Sequence, residues 1–208
     1  MRKRSLYIML ILAVLLCGIT PSFAIDNLEE WDSLQTYPQD VMGTKYLIPV
    51  KYFMDKKIIT GDTDGLFYPD KGISRAEFAT IMAKATNNAD LVEIEALKKY
   101  DIFSDLNGYG WAKPYINSVS RSGLMKGKGG DIFAPGDSVT YAEIMTVIIR
   151  MSKSSASAAE GFAPKWPDNY ILYAQTYNLT SDVEIKDWNA PAKKGDVVIL
   201  LYRNISKN

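Results

Sequence analysis

The feature that most restricts what this chain can fold into is an internal repeat. Shifted by 66 residues, positions 45–84 lie over 111–150 without a gap. Identities include Gly61/Gly127, Phe67/Phe133, Pro69/Pro135 and Glu77/Glu143, and residue kinds agree between them, as in Ile73-Ser74 over Val139-Thr140. A third copy follows with more drift. Trp166, Tyr170 and Ile171 match Trp111, Tyr115 and Ile116 at an offset of 55, and 192–196 fall on 139–143 at an offset of 53, so the third loop differs in length by two residues. Units this small cannot bury their apolar faces alone, so the copies are expected to pack on each other.

Each copy reads as helix, loop, helix. In the second copy Ile116, Val119 and Leu124 follow Pro114 at near-helical spacing, and Gly123 is a stop signal. The loop that follows is dense in turn formers. Ser74-Arg-Ala-Glu77 and Thr140-Tyr-Ala-Glu143 are capping boxes, in which hydroxyl and carboxylate satisfy free backbone amides at a helix start. Behind them run the stripes Phe78, Ile81, Met82, Ala85 and Ile144, Val147, Ile148, Met151, which at i, i+3, i+4, i+7 spacing read as core. The third copy has only Lys193 and Asp196 at the cap positions, so its helix should start less firmly. The expected class is mainly α: three helix-loop-helix repeats packed as a pseudo-threefold helical bundle.

Composition narrows the chemistry. The 208 residues contain no histidine and one cysteine, which removes imidazole bases, Ser-His-Asp and Cys-His arrangements and His-containing zinc sites. The balance of 24 basic against 24 acidic residues has two parts. Arg2-Lys3-Arg4, an apolar run over 6–16 and Ser22-Phe23-Ala24 read as a secretory signal peptide over 1–24, with an apolar run short for a membrane span. Its removal leaves 21 basic and 24 acidic residues, a formal charge of −3, and takes Cys17 with it. No second spanning stretch follows, so no membrane span is expected after signal removal.

The run Thr60-Gly-Asp-Thr-Asp-Gly65-Leu-Phe-Tyr-Pro69 together with Ser74-Arg75-Ala-Glu77 resembles the S-layer homology module, whose hallmarks are a Gly-x-x-Asp-Gly-x-Phe-x-Pro loop and a Thr-Arg-Ala-Glu motif. The second copy is similar through Trp111-Ala-Lys-Pro114 and Thr140-Tyr-Ala-Glu143, and the third through Trp166, Tyr170-Ile171 and Asp196. The resemblance covers about 40–205 and implies non-covalent attachment of an exported protein to an anionic secondary cell wall polysaccharide, often through a pyruvylated amino sugar. The implied recognising residue is Arg75, a guanidinium beside a helix N-terminus, which suits a carboxylate. The motif position is Tyr141 in the second copy and Lys194, which lacks the planar fork, in the third. Trp111 and Trp166 are candidate sugar platforms, and Asp62 a candidate groove residue.

The expected organisation is a signal peptide, 1–24; repeat 1 with an N-terminal segment, 25–87; a linker helix and repeat 2, 88–151; and a flexible Ser/Ala-rich linker with repeat 3, 152–208. The copies fill almost all of the chain after the signal, so no cargo domain is expected on it. Asp62-Thr-Asp64-Gly65 fails as a calcium loop because Lys71 stands at the twelfth position. Lys126 and Lys128 read as exposed lysines of a glycine-rich turn, and the short lysine pairs are no nucleic-acid tract. The expected protein is therefore a non-catalytic wall binder at the bacterial cell surface, with no cofactor, no metal and no nucleic-acid partner. An alternative is a degenerate envelope scaffold in which Tyr141 and the third copy face another envelope protein.

Overall fold

A computed structural model describes residues 36–86, 94, 96–162 and 165–206. The expected signal peptide and most of the segment between the first two copies lie outside the described residues. A compact unit begins at Pro38, and every described helix belongs to it. The described residues form seven α-helices: α1 Leu47–Asp55, α2 Arg75–Ala85, α3 Lys113–Arg121, α4 Tyr141–Arg150, α5 Lys153–Glu160, α6 Asp168–Thr176 and α7 Lys194–Ile205. The mainly α class is as expected. None of these helices is long and apolar enough to cross a membrane.

Helices α2, α4 and α7 are the inner ones. Both expected capping boxes are present: Ser74 and Thr140 accept from the amides of Glu77 and Glu143, whose carboxylates accept in return from the cap amides. Helix α7 starts at Lys193 with no side-chain cap. Its first amides are satisfied by distant backbone instead, with Lys194 N–H donating to Lys71 O at 2.8 Å and Gly195 N–H to Pro69 O at 2.7 Å. Glycine is required at 195 by close approach, since a Cβ there would lie 2.6 Å from the Tyr46 ring and 2.8 Å from Pro69.

Those two bonds belong to a closed cycle. Arg75 and Ala76 donate to Asp137 and Pro135, Tyr141 and Ala142 to Ala190 and Trp188, and Lys194 and Gly195 to Lys71 and Pro69. Each helix start is thus held by the loop of the next unit. Inside this cycle three amides close a ring: Val139 donates to Ile73 at 3.1 Å, Ile73 to Ala192 at 3.3 Å and Ala192 to Val139 at 2.8 Å. The three side chains are buried to within 1% of full burial, so the ring is dry and its backbone groups must pair with each other. Outer helices follow the same rule: α3 packs on α2, α6 on α4 and α1 on α7. Each inner helix therefore carries the outer helix of the next unit, and no repeat is a self-contained hairpin.

Backbone conformation repeats as well. Lys57, Gly123 and Asn178, each two residues beyond its outer helix, all take a left-handed φ, at 57°, 76° and 52°. Only glycine adopts this without cost. The third loop is two residues shorter than the second, counted from Leu179 to Ala192 against Leu124 to Val139.

The Ser/Ala-rich stretch corrects one expectation. It is not a flexible linker, for 153–160 form α5, capped by the Ser152 hydroxyl, which accepts from Ser155 N–H. Alanine is the strongest helix former, and Ala159 buries itself fully between α4 and α6. Asn169 and Tyr170 of α6 tie its end, by bonds to Ala159 O and Glu160.

Candidate functional site

Two grooves run along inner helices at matching positions. Groove A follows α4 along Glu143, Thr146, Val147 and Arg150; groove B follows α2 along Glu77, Thr80, Ile81 and Lys84. These are i, i+3, i+4, i+7 sets, one face of a helix each. The remaining walls also correspond. Groove A adds the 125–128 turn, Arg75 from α2 and Trp166 at the entry to α6; groove B adds the 58–62 turn, Lys194 from α7 and Trp111 at the entry to α3.

All five candidate residues fall into these grooves, in two groups. Arg75 and Trp166 meet in groove A, while Lys194, Trp111 and Asp62 meet in groove B. Both tryptophans are about half exposed, at 53% and 54%, so each offers a ring face to solvent at a groove mouth. Trp166 is oriented by its indole N–H, which donates to Thr146 Oγ1 at 3.0 Å.

Arg75 is not a surface arginine. It is 3% exposed, with its guanidinium 4.7 Å from the centre of the Phe133 ring. Nε donates to Phe133 O at 2.9 Å, Nη2 to Lys126 O at 2.8 Å, and Nη1 to Glu143 at 3.3 Å. Burial lowers its pKa from the ordinary value, opposed by Glu143, Asp137 and Asp105. Three of its five N–H groups are thereby spent on the fold, which fixes the plane of the fork against the groove wall. Lys194 repeats the stacking, with Nζ 4.7 Å from the centre of the Phe67 ring.

Charge separates the two grooves. Groove A holds Arg75, Lys126, Lys128 and Arg150 against the single carboxylate of Glu143, to which Lys128 donates at 2.6 Å. Groove B sets Lys84 and Lys194 against Glu77 and Asp62. An anion is therefore favoured in groove A and not in groove B. Lys126 and Lys128, read from sequence as lysines of a turn, are walls of the cationic groove; the signal was their position beside Gly127, the counterpart of Gly61. Glycine is needed there because a Cβ would meet Ile132 O at 2.5 Å.

The third equivalent position is closed. Tyr141 stands where Arg75 and Lys194 stand, and its hydroxyl donates to Asp196, the counterpart of Glu77 and Glu143, at 2.6 Å. Lys45 replaces the tryptophan and lies 3.8 Å from the same carboxylate. Tyr141 is 7% exposed, and burial, then the bond to Asp196, raises its pKa to about 12. A residue so enclosed does not face a partner protein, so Tyr141 is not part of the contact surface that the scaffold alternative expects of it and the third copy.

The arrangement defines a cyclic helical-repeat protein whose grooves lie between units rather than within them. Comparison with known sequences agrees. Residues 43–79 and 102–145 match the S-layer homology domain. It is 35% identical over 125 residues to a cellulosome-anchoring protein of Acetivibrio thermocellus, covering 60% of this chain and 28% of that protein. It is 28% identical over 148 residues to the middle cell wall protein of Brevibacillus brevis, covering 69% and 13%. An endoglucanase of a Bacillus species is 26% identical over 149 residues, covering 71% and 15%. The chain thus spans under a third of the length of each of these relatives. These matches place it among bacterial cell-surface proteins.

Proposed function

We propose that the chain is a non-catalytic wall-binding protein that holds an acidic sugar of a secondary cell wall polysaccharide in groove A. The observation that carries this reading is the groove's charge: four cationic side chains and one carboxylate beside a half-exposed indole. Cations hold the anionic substituent, and the Trp166 face takes the sugar ring. A pyruvylated amino sugar fits the pairing, since its carboxylate sits on a ring that also has an apolar face. The third unit, over 152–208, is on this reading a third S-layer homology module whose site has been lost. The match to an endoglucanase over a minor part of that enzyme is consistent with a binding module shared among proteins of different activity.

The test is Lys126→Gln with Lys128→Gln, both exposed, assayed by calorimetry against polysaccharide released from wall sacculi. Losing two charged contacts lowers affinity by about tenfold. Unchanged affinity rules out groove A as the sugar site.

A further inference from the structure

The inner helices leave the ring and end at a basin of about 810 Å³. They are 11, 10 and 12 residues long, so about 15 to 18 Å of helix separates the two ends at 1.5 Å per residue. The residues lining the basin include Lys56, Lys84, Arg150 and Lys153 and no acidic side chain. None of the four pairs with a carboxylate among the described residues. Three lie over tyrosine rings instead: Lys56 over Tyr52 at 5.0 Å, Lys84 over Tyr115 at 5.6 Å and Arg150 over Tyr170 at 5.4 Å.

Helix dipoles explain part of this charge. Lys84 and Arg150 occupy the last turns of α2 and α4, and Lys56 follows α1, where exposed carbonyls favour a cation. Lys153 is different, since it opens α5 at the positive end of that helix. The basin is therefore more cationic than its helix ends require. It adjoins both grooves, for Arg150, the last residue of α4 in groove A, and Lys84, the last residue of α2 in groove B, both line the basin.

We infer that the basin is a further anion-binding site, which takes an acidic segment of the same glycan beyond the sugar held in groove A. The inference rests on groove A being the polysaccharide site. A polymer lying along α4 reaches Arg150 and passes into the basin without leaving cationic surface. The second contact is then intramolecular, so affinity rises with polymer length.

Two arms test it. In the first, the ¹⁵N-labelled protein is titrated with tetragalacturonate, a carboxylate-bearing tetrasaccharide. The amides of Thr86, Ser122 and Met151 at the basin shift in the wild type and stay still in Lys56→Gln/Lys153→Gln, whose sites touch neither groove; still amides in the wild type overturn the inference. In the second, wall polysaccharide is fractionated by length. The double variant loses about fivefold in affinity for long fractions and nothing for the shortest, and equal loss for both overturns the inference. No binding of any wall fraction overturns the groove A reading and this inference with it, whereas wall fractions that bind with equal affinity to wild type and double variant overturn the inference alone.

Discussion

The Tyr141 hydroxyl donates a 2.6 Å hydrogen bond to the Asp196 carboxylate, filling the place that Arg75 and Glu143 hold in groove A. A largely buried cation and carboxylate that pair at 3.3 Å on the wall of groove A are replaced here by a neutral donor and a carboxylate. The threefold frame keeps the position while the site is lost.

Tyr141→Phe should cost about 1 to 2 kcal/mol, because Asp196 loses its buried donor. It also has a pH signature. The folded-state pKa of about 12 stands above the ordinary value of 10.0, so the stability this group contributes is present below pH 10 and is lost as pH rises toward 12. Thermal melts at pH 8 and pH 11 should show a smaller alkaline drop for the variant than for the wild type.

Arg75→Ala should be costly to the fold itself, by about 3 kcal/mol, since it strands the carbonyls of Phe133 and Lys126 and takes one of two cations from a mostly buried Glu143. Lys194→Ala, which removes a stacked side chain with no such bonds, should cost under about 1 kcal/mol. Urea unfolding measures both. Calorimetry with released polysaccharide should also show the larger affinity loss for Arg75→Ala; the reverse order would show that groove B is the main site.

Trp166→Ala should separate binding from stability. The indole is half exposed, so unfolding midpoints should move little, while affinity for released polysaccharide falls by about tenfold if the ring face holds the sugar. Trp111→Ala, in the groove without excess positive charge, should lose less.

Lys57→Gly should stabilise the protein by about 1 kcal/mol, because Lys57 holds φ at 57° where its counterpart is Gly123. Chemical denaturation gives the sign directly, and a loss of stability would mean that the lysine side chain contributes more there than the backbone costs.

The repeat, both capping boxes and the helix-loop-helix plan were legible in the sequence because each rests on residues close together in the chain. Burial of Arg75 was not. A residue just inside a helix start looks solvated, and what covers it, Phe133 and the carbonyl of Lys126, comes from the next unit 51 or 58 residues on. The grouping of site residues followed the same logic: Arg75 and Trp166 lie in different copies and meet only because outer helices pack on the preceding unit. Helix α5 was missed because its Ser/Ala composition suits both a linker and a short helix, and only the seat of Ala159 decides between them.

The most direct measurement is co-sedimentation of the protein with purified wall sacculi, before and after the non-peptidoglycan polymer has been stripped from them. Binding to intact walls that is lost on stripped walls is the result expected of a polysaccharide binder acting through groove A. Equal binding to stripped and intact walls would contradict it.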